Sequence, residues 1–169
     1  QNQARQAGAY LKERGIRFGQ LYSSTQERAS DTLELISRRT DYTRLKGIKE
    51  WNFGLFEAQP ERLQPKFRPG ATSFEDLFVP YGGEGVDQVG ERMLVTLTEV
   101  MEQAGAEPVL AVSHGGAMWA FYLKIAAQTL DPKVRFGNCA ICHYELGHFK
   151  LAEVIDPLTG DVYKCEASL

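Results

Sequence analysis

The hydrophobic positions alternate between two periods along the chain. In "NQARQAGAYLKER" (2–14), Ala4, Ala7, Tyr10 and Leu11 recur at helical spacing, and Gly15 follows as a candidate C-terminal cap. Ile16 to Tyr22 reads as a short strand, and Ser24 or Thr25 offers an N-cap. "ERASDTLELISRR" then returns to helical spacing through Ala29, Leu33 and Ile36. The longest helical stripe runs over 86–104, with Val86, Val89, Met93, Leu97, Val100 and Met101 on one face and Gly105 beyond its end. Val109 to Val112 are continuously apolar, as in a strand covered on both faces, and Ala117 to Ala127 reads as a buried helix. Cys139 to Leu146 and Phe149 to Ile155 read as two strands joined near Gly147.

Two strand-to-helix units and a late hairpin predict an α/β fold: a three-layer sandwich whose mostly parallel sheet carries helices on both faces, with a late antiparallel hairpin. A chain of 169 residues suits one domain, 1–169. Between Ile48 and Gly83 the pattern breaks down. Pro60, Pro65, Pro69 and Pro80 fall here, which favours irregular structure or a lid.

Composition changes this picture little. A net charge of −3 supplies no basic footprint for nucleic acid, so any anion site must be local. The longest apolar stretch, Ala117 to Ala127, is broken by Lys124 and falls far short of the roughly 20 residues that span a bilayer. Three cysteines cannot all pair within one chain, which favours a reducing cytoplasm. Neither nucleic acid nor membrane is expected as a partner; the oligomeric state is left open.

Candidate chemistry begins at "VLAVSHGGAMWAF" (109–121). In an open parallel sheet, ligands bind beyond the carboxyl ends of strands, where helix N-termini aim free N–H groups at anions. His114 stands there, and Gly115 and Gly116 let backbone approach a ligand closely. Alone, His114 could equally cap the helix or hydrogen-bond in the core. The other strand-to-helix unit, "LYSSTQERASDT", places Arg28 in the first turn of its helix, where a cation opposes the helix dipole. Arg28 could pair with Asp31 at the surface, or share a phosphate with the helix N-terminus through its guanidinium fork. Glu50 alone reads as a surface carboxylate beside Lys49.

The pieces "YSSTQERASDT", "IKEWNFGLFE", "YGGEG" and "VSHGG", in this order along nearly the whole chain, resemble the histidine phosphatase (phosphoglycerate mutase-like) superfamily. The resemblance implies that Arg28, His114 and Gly115 bind phosphate, that His114 stabilises the transferring phosphoryl group, and that Glu50 is the general acid. Asn138 lies where the family often has a small polar residue near the phosphate. Glu84 resembles part of the segment Gly-Gly-Glu-Ser, with Gly85 in place of serine. No metal or cofactor is implied, and the partner is a small phosphorylated substrate.

The sequence departs from the family at its front. The family's nucleophile is a histidine in an Arg-His-Gly motif at the end of its first strand, and no histidine precedes His114 here; His143 and His148 do not match that motif. The sequence therefore reads as N-terminally incomplete and starting downstream of its nucleophile, and a chain truly beginning at Gln1 is expected to be inactive. Such a chain would expose strand edges, with poor solubility, swapping or capture of the missing segment in trans. A phosphohydrolase acting on small phosphomonoesters through a phosphohistidine is the favoured reading. The alternatives are a phosphoglycerate mutase and a catalytically inactive phosphate-binding module. "CAICH" (139–143) formally fits a haem or half-zinc motif, but strand alternation would send Cys139 and Cys142 to opposite faces.

Overall fold

A computed structural model describes residues 1–125, 134, 136–145 and 149–165. Ala126 and Ala127 of the expected buried helix, the Leu146–Gly147 turn and His148 lie outside the described residues.

The element order is α1 (Asn2–Glu13), β1 (Gln20–Ser24), α2 (Glu27–Ser37), β2 (Thr43–Leu45), α3 (Val86–Glu102), β3 (Val109–Val112), α4 (Gly115–Ile125), β4 (Ile141–Glu145), β5 (Lys150–Ile155) and β6 (Val162–Lys164). β1 lies between β2 and β3 in a parallel sheet, while β4, β5 and β6 form an antiparallel one.

Alternation along β1 places helices on both faces. Tyr22 packs toward the cluster built by Ile48, Trp51, Phe78, Val89, Met93, Ala117, Ala120 and Phe121, from α3, α4 and the loop before them. Its neighbour Ser23 points the other way, to Ser30 of α2, with the two hydroxyls 3.2 Å apart. Both serines are buried, and each satisfies the other. The antiparallel sheet repeats the arrangement, with Leu151 and Val154 packing with Tyr122 of α4 and Ile155 with Tyr10 and Leu11 of α1. Each of these buried apolar side chains contributes about 1.5–3 kcal/mol.

α1 ends where Gly15 predicts. Gly15 takes a left-handed φ of 69°, its N–H donates to Lys12 O and Ile16 N–H to Leu11 O. Those bonds commit Ile16 to the cap, so β1 starts at Gln20 rather than at Ile16. α2 is capped by neither Ser24 nor Thr25. Its N-cap is Gln26, because the Ser24 hydroxyl accepts the Gln26 N–H at 3.2 Å and closes a turn before the helix.

Three further expectations need correction. β3 is not covered on both faces: it is an edge of the parallel sheet among the described residues, and Ala111 is exposed. Cys139 is not in a strand but in a turn with φ 61°, closed by Ala140 N–H to Gly137 O, so β4 begins at Ile141. α4 starts at Gly115, two residues before the apolar run, because the glycines themselves form its first turn. β2 and β6 carry no apolar signal, being short strands with exposed ends.

The region from 49 to 85 is irregular, with short 3-10 turns at Gly54–Phe56, 61–63 and Val79–Tyr81. Aromatic edges hold it. Phe74 meets Trp51, Phe53 and Phe78 edge-on at centroid separations of 5.1, 5.5 and 5.4 Å.

Candidate active site

Two helices begin at the carboxyl end of the parallel sheet, α2 after β1 and α4 after β3. Register pairing of Ser23 with Val112 aligns these strand ends, so the residues just beyond them meet. Arg28 Nε lies 3.2 Å from His114 Nδ1, and His114 Nε2 lies 2.9 Å from Ser24 Oγ.

These contacts fix the tautomer of His114. A guanidinium N–H only donates, so Nδ1 holds the lone pair and the ring proton sits on Nε2, donating to Ser24 Oγ. Burial first, and the Arg28 and Arg92 charges after it, lower the His114 pKa from 6.5 to about 4. The imidazole is thus neutral at pH 7. Arg28 makes no ion pair with Asp31; it is exposed, and its two terminal nitrogens have no partner among the described residues.

Glu50 comes to the same place from the opposite side. Ile48 and Trp51 are fully buried on either side of it. Glu50 N–H donates to Gln26 Oε1 at 2.8 Å, and its carbonyl accepts from Arg92 Nη2 at 3.0 Å. The backbone so held directs the side chain at the start of α4. Glu50 Oε1 accepts from Trp51 N–H and Ala117 N–H, both at 2.9 Å. The carboxyl group therefore caps α4, and it is half-buried rather than a surface group beside Lys49.

The glycines leave room for this. A Cβ on Gly116 would stand 2.9 Å from Glu50 Oε1, and one on Gly115 would stand 3.2 Å from Phe136 O. Ala117 N–H is taken by Glu50 and Met118 N–H by His114 O at 2.8 Å. The N–H groups of Gly115 and Gly116 have no partner among the described residues, leaving two donors at a helix N-terminus.

Asn138 lies in an exposed turn two residues after Phe136. No hydrogen bond among the described residues joins it to Arg28, Glu50 or His114.

Three polar residues of this cluster escaped the sequence reading. Ser24 and Gln26 lie inside "YSSTQERASDT" between the strand and Arg28, and their position at a strand's carboxyl end is the signal that marks them. The third, Arg92, stands on α3 beside the apolar stripe. Its Nε and Nη2 lie 2.7 and 3.0 Å from Glu84 Oε1 and Oε2, while Nη1 donates to Gly47 O and Lys49 O at 2.8 and 2.9 Å. Burial pushes the Glu84 pKa up, but the Arg92 bonds, the Asn52 N–H and the Arg92 and Lys49 charges outweigh it and hold Glu84 below the usual carboxylate range. Glu84 is thus a brace for the Glu50 loop, with its carbonyl accepting the Trp51 indole N–H at 2.6 Å.

The other described histidine, His143, pairs with Glu153 on the antiparallel sheet, 3.3 Å away and exposed. Cys139, Cys142 and Cys165 are free thiols. Among the described residues no three His, Cys, Asp or Glu gather to hold a metal, and no helix is long and apolar enough to cross a membrane.

Known proteins carry related sequences and folds. A metal-independent phosphoserine phosphatase of Arabidopsis thaliana is 28% identical over 135 residues, 73% of this chain and 55% of the relative. A broad-specificity phosphatase of Saccharomyces cerevisiae is 29% identical over 130 residues, 70% of this chain and 54% of the relative. The chain spans about half the length of the curated relatives it matches. The solved structure of Bacillus stearothermophilus YhfR superposes with a TM-score of 0.71 at 21% identity, over 89% of this chain and 79% of that one, a likeness of fold. The sequence profile of the histidine phosphatase superfamily, branch 1, matches residues 1–154, which take in both strand-to-helix units and the Glu50 loop. The chain belongs to the histidine phosphatase superfamily.

Proposed function

We propose that this site belongs to a metal-independent phosphohydrolase that cleaves small phosphomonoesters through a phosphohistidine. The observation that carries the reading is the convergence of four kinds of group at one sheet edge. These are the open guanidinium of Arg28, the neutral His114, the N–H groups of Gly115 and Gly116, unpaired among the described residues, and the Glu50 carboxyl. All but the last are donors suited to phosphoryl oxygens.

In this scheme Arg28 and the Gly115 N–H bind the non-bridging oxygens. His114 turns its Nε2–H from Ser24 to the equatorial oxygen on which charge develops. An attacking imidazole nitrogen bonds to phosphorus as the ester P–O bond breaks, and the departing oxygen takes a proton from Glu50. Glu50, now a carboxylate, accepts a proton from the water that attacks the phosphohistidine, releasing phosphate and restoring the imidazole. Because Oε1 is filled by two backbone N–H groups, the mobile proton sits on Oε2.

His114 is engaged at both nitrogens and is not the attacking group, and the sequence contains no Arg-His-Gly. The proposal therefore takes the nucleophile from outside residues 1–169. These residues alone bind phosphate without turning it over.

Hydrolysis is favoured over phosphoryl return because Glu50 to Glu84 is short and lacks the basic pattern suited to a bisphosphorylated intermediate. The test is to incubate the complete protein with phosphomonoesters and, separately, with 3-phosphoglycerate plus bisphosphoglycerate. Net phosphate release is expected in the first. Efficient interconversion without net release in the second would overturn the hydrolase reading.

A further inference from the structure

A cavity of about 310 Å³ opens beside Glu50. Its wall is aromatic: Trp51, Phe67, Phe74 and Trp119 line it, with Thr72 and Ser73 as the polar contributors. Among the described residues, no Lys, Arg, Asp, Glu or His lines it. Phe67 stacks on Phe74 with ring centroids 5.3 Å apart and planes at 19°, and Trp119 Nε1 donates to Thr72 O at 2.8 Å, so the indole and the 67–74 segment hold each other.

The cavity adjoins the Glu50 end of the site through Gly116 and Trp51. Gly116 lines it, next in sequence to Gly115, and the Cβ that Gly116 lacks would lie 2.9 Å from Glu50 Oε1 and 3.4 Å from Phe74. Trp51, on the other wall, donates its N–H to the same Glu50 oxygen. Glu50 thus stands at the boundary between a donor-rich anion site and an apolar cavity.

Resting on the phosphomonoesterase reading, we infer that this cavity receives the alcohol portion of the substrate and selects uncharged aromatic or bulky apolar groups over small charged ones. The group that protonates the leaving oxygen must touch that oxygen, so the attached carbon lies on the Glu50 side, where the cavity begins. About 150 Å³ suffices to hold a benzene ring, so the space accommodates one with room to spare. A serine ammonium and carboxylate, or the carboxylate of a phosphoglycerate, would lose water there with no countercharge among the described residues of the wall. A ring gains burial and edge or face contacts with four aromatic side chains.

The test is calorimetric binding of benzylphosphonate, methylphosphonate, O-phosphoserine and inorganic phosphate to the chain and to Phe67→Ala. Phe67 is half-exposed, so its loss spares the core; Trp119→Ala, which also removes contacts to Tyr122 and Phe136, is the second variant. Benzylphosphonate is expected to bind at least tenfold more tightly than methylphosphonate and O-phosphoserine. Phe67→Ala should lower benzylphosphonate affinity about fivefold and leave methylphosphonate and phosphate unchanged. Equal affinity for the two phosphonates, tighter binding of O-phosphoserine, or equal weakening of both phosphonates by Phe67→Ala would overturn the inference while leaving the anion site standing. Failure of inorganic phosphate and every phosphonate to bind would overturn both readings.

Discussion

Arg28 Nε approaches His114 Nδ1 to 3.2 Å across 86 residues of sequence. A guanidinium beside a basic ring nitrogen keeps that nitrogen unprotonated, and burial acts in the same direction. The pair thus offers two kinds of donor with one positive charge between them. Proton-coupled NMR of the imidazole should show the Nε2–H tautomer at pH 6 and titration near pH 4. Arg28→Met should raise that midpoint only part of the way, since burial is the larger cause. An imidazolium at pH 6 in the unaltered chain would sink the assignment.

The same lowered pKa predicts a pH-dependent stability. Between about 4 and 6.5 the unfolded chain binds a proton on this ring that the folded chain refuses. Stability therefore rises with pH through that window, is fully present above 6.5, and is lost as pH falls toward 4. The span is on the order of 2 kcal/mol after solvent screening. Urea midpoints measured across the window should show a shallower slope for His114→Gln; identical slopes would contradict the linkage.

The cap that Glu50 supplies to α4 can be separated from the acid role proposed for it. Glu50→Gln keeps an oxygen for the Trp51 and Ala117 N–H groups and should leave thermal stability within about 0.5 kcal/mol, while removing the acid from any turnover by the complete protein. Glu50→Ala removes the cap as well and should cost about 1–2 kcal/mol. Equal melting temperatures for the two variants would refute the capping role.

Arg92 spreads five hydrogen bonds over Glu84 and the carbonyls of Gly47, Lys49 and Glu50. Arg92→Met strands a half-buried carboxylate and three carbonyls, and should cost about 3–5 kcal/mol. Arg92→Lys, which lacks the fork, should recover less than half of that loss by denaturant titration. Full rescue by lysine would reduce the brace to a simple charge pair.

What the sequence revealed follows from which forces are local. Helical stripes and the apolar run 109–112 are one-dimensional signals, so α1, α2, α3, α4 and β3 stand near their expected positions. Gly15 carries its own cap because a positive φ is a property of one residue. The β2 and β6 strands are three residues long, each with a single part-buried residue, too short to leave a periodic mark. Arg28, His114 and Glu50 were legible through motif resemblance; the meeting of Arg28 and His114 follows from strand register, and that of Glu50 with them from the hydrogen bonds of its backbone to Gln26 and Arg92. Ser24, Gln26 and Arg92 act by holding other residues in place; a strand's carboxyl end marks the first two, and nothing in the local sequence of Arg92 distinguishes it from a surface residue. The exposed Ala111 shows the converse limit: an apolar run marks a strand without showing how many neighbours cover it.

The most direct measurement is calorimetric titration of inorganic phosphate into the chain and into Arg28→Ala at pH 7 and fixed salt. Phosphate is expected to bind the unaltered chain, and losing one guanidinium should weaken it about 10- to 100-fold, the equivalent of a charge-assisted hydrogen bond. Absence of binding to the unaltered chain, or equal affinity in the Arg28→Ala variant, would contradict an anion site formed by Arg28, His114 and the start of α4.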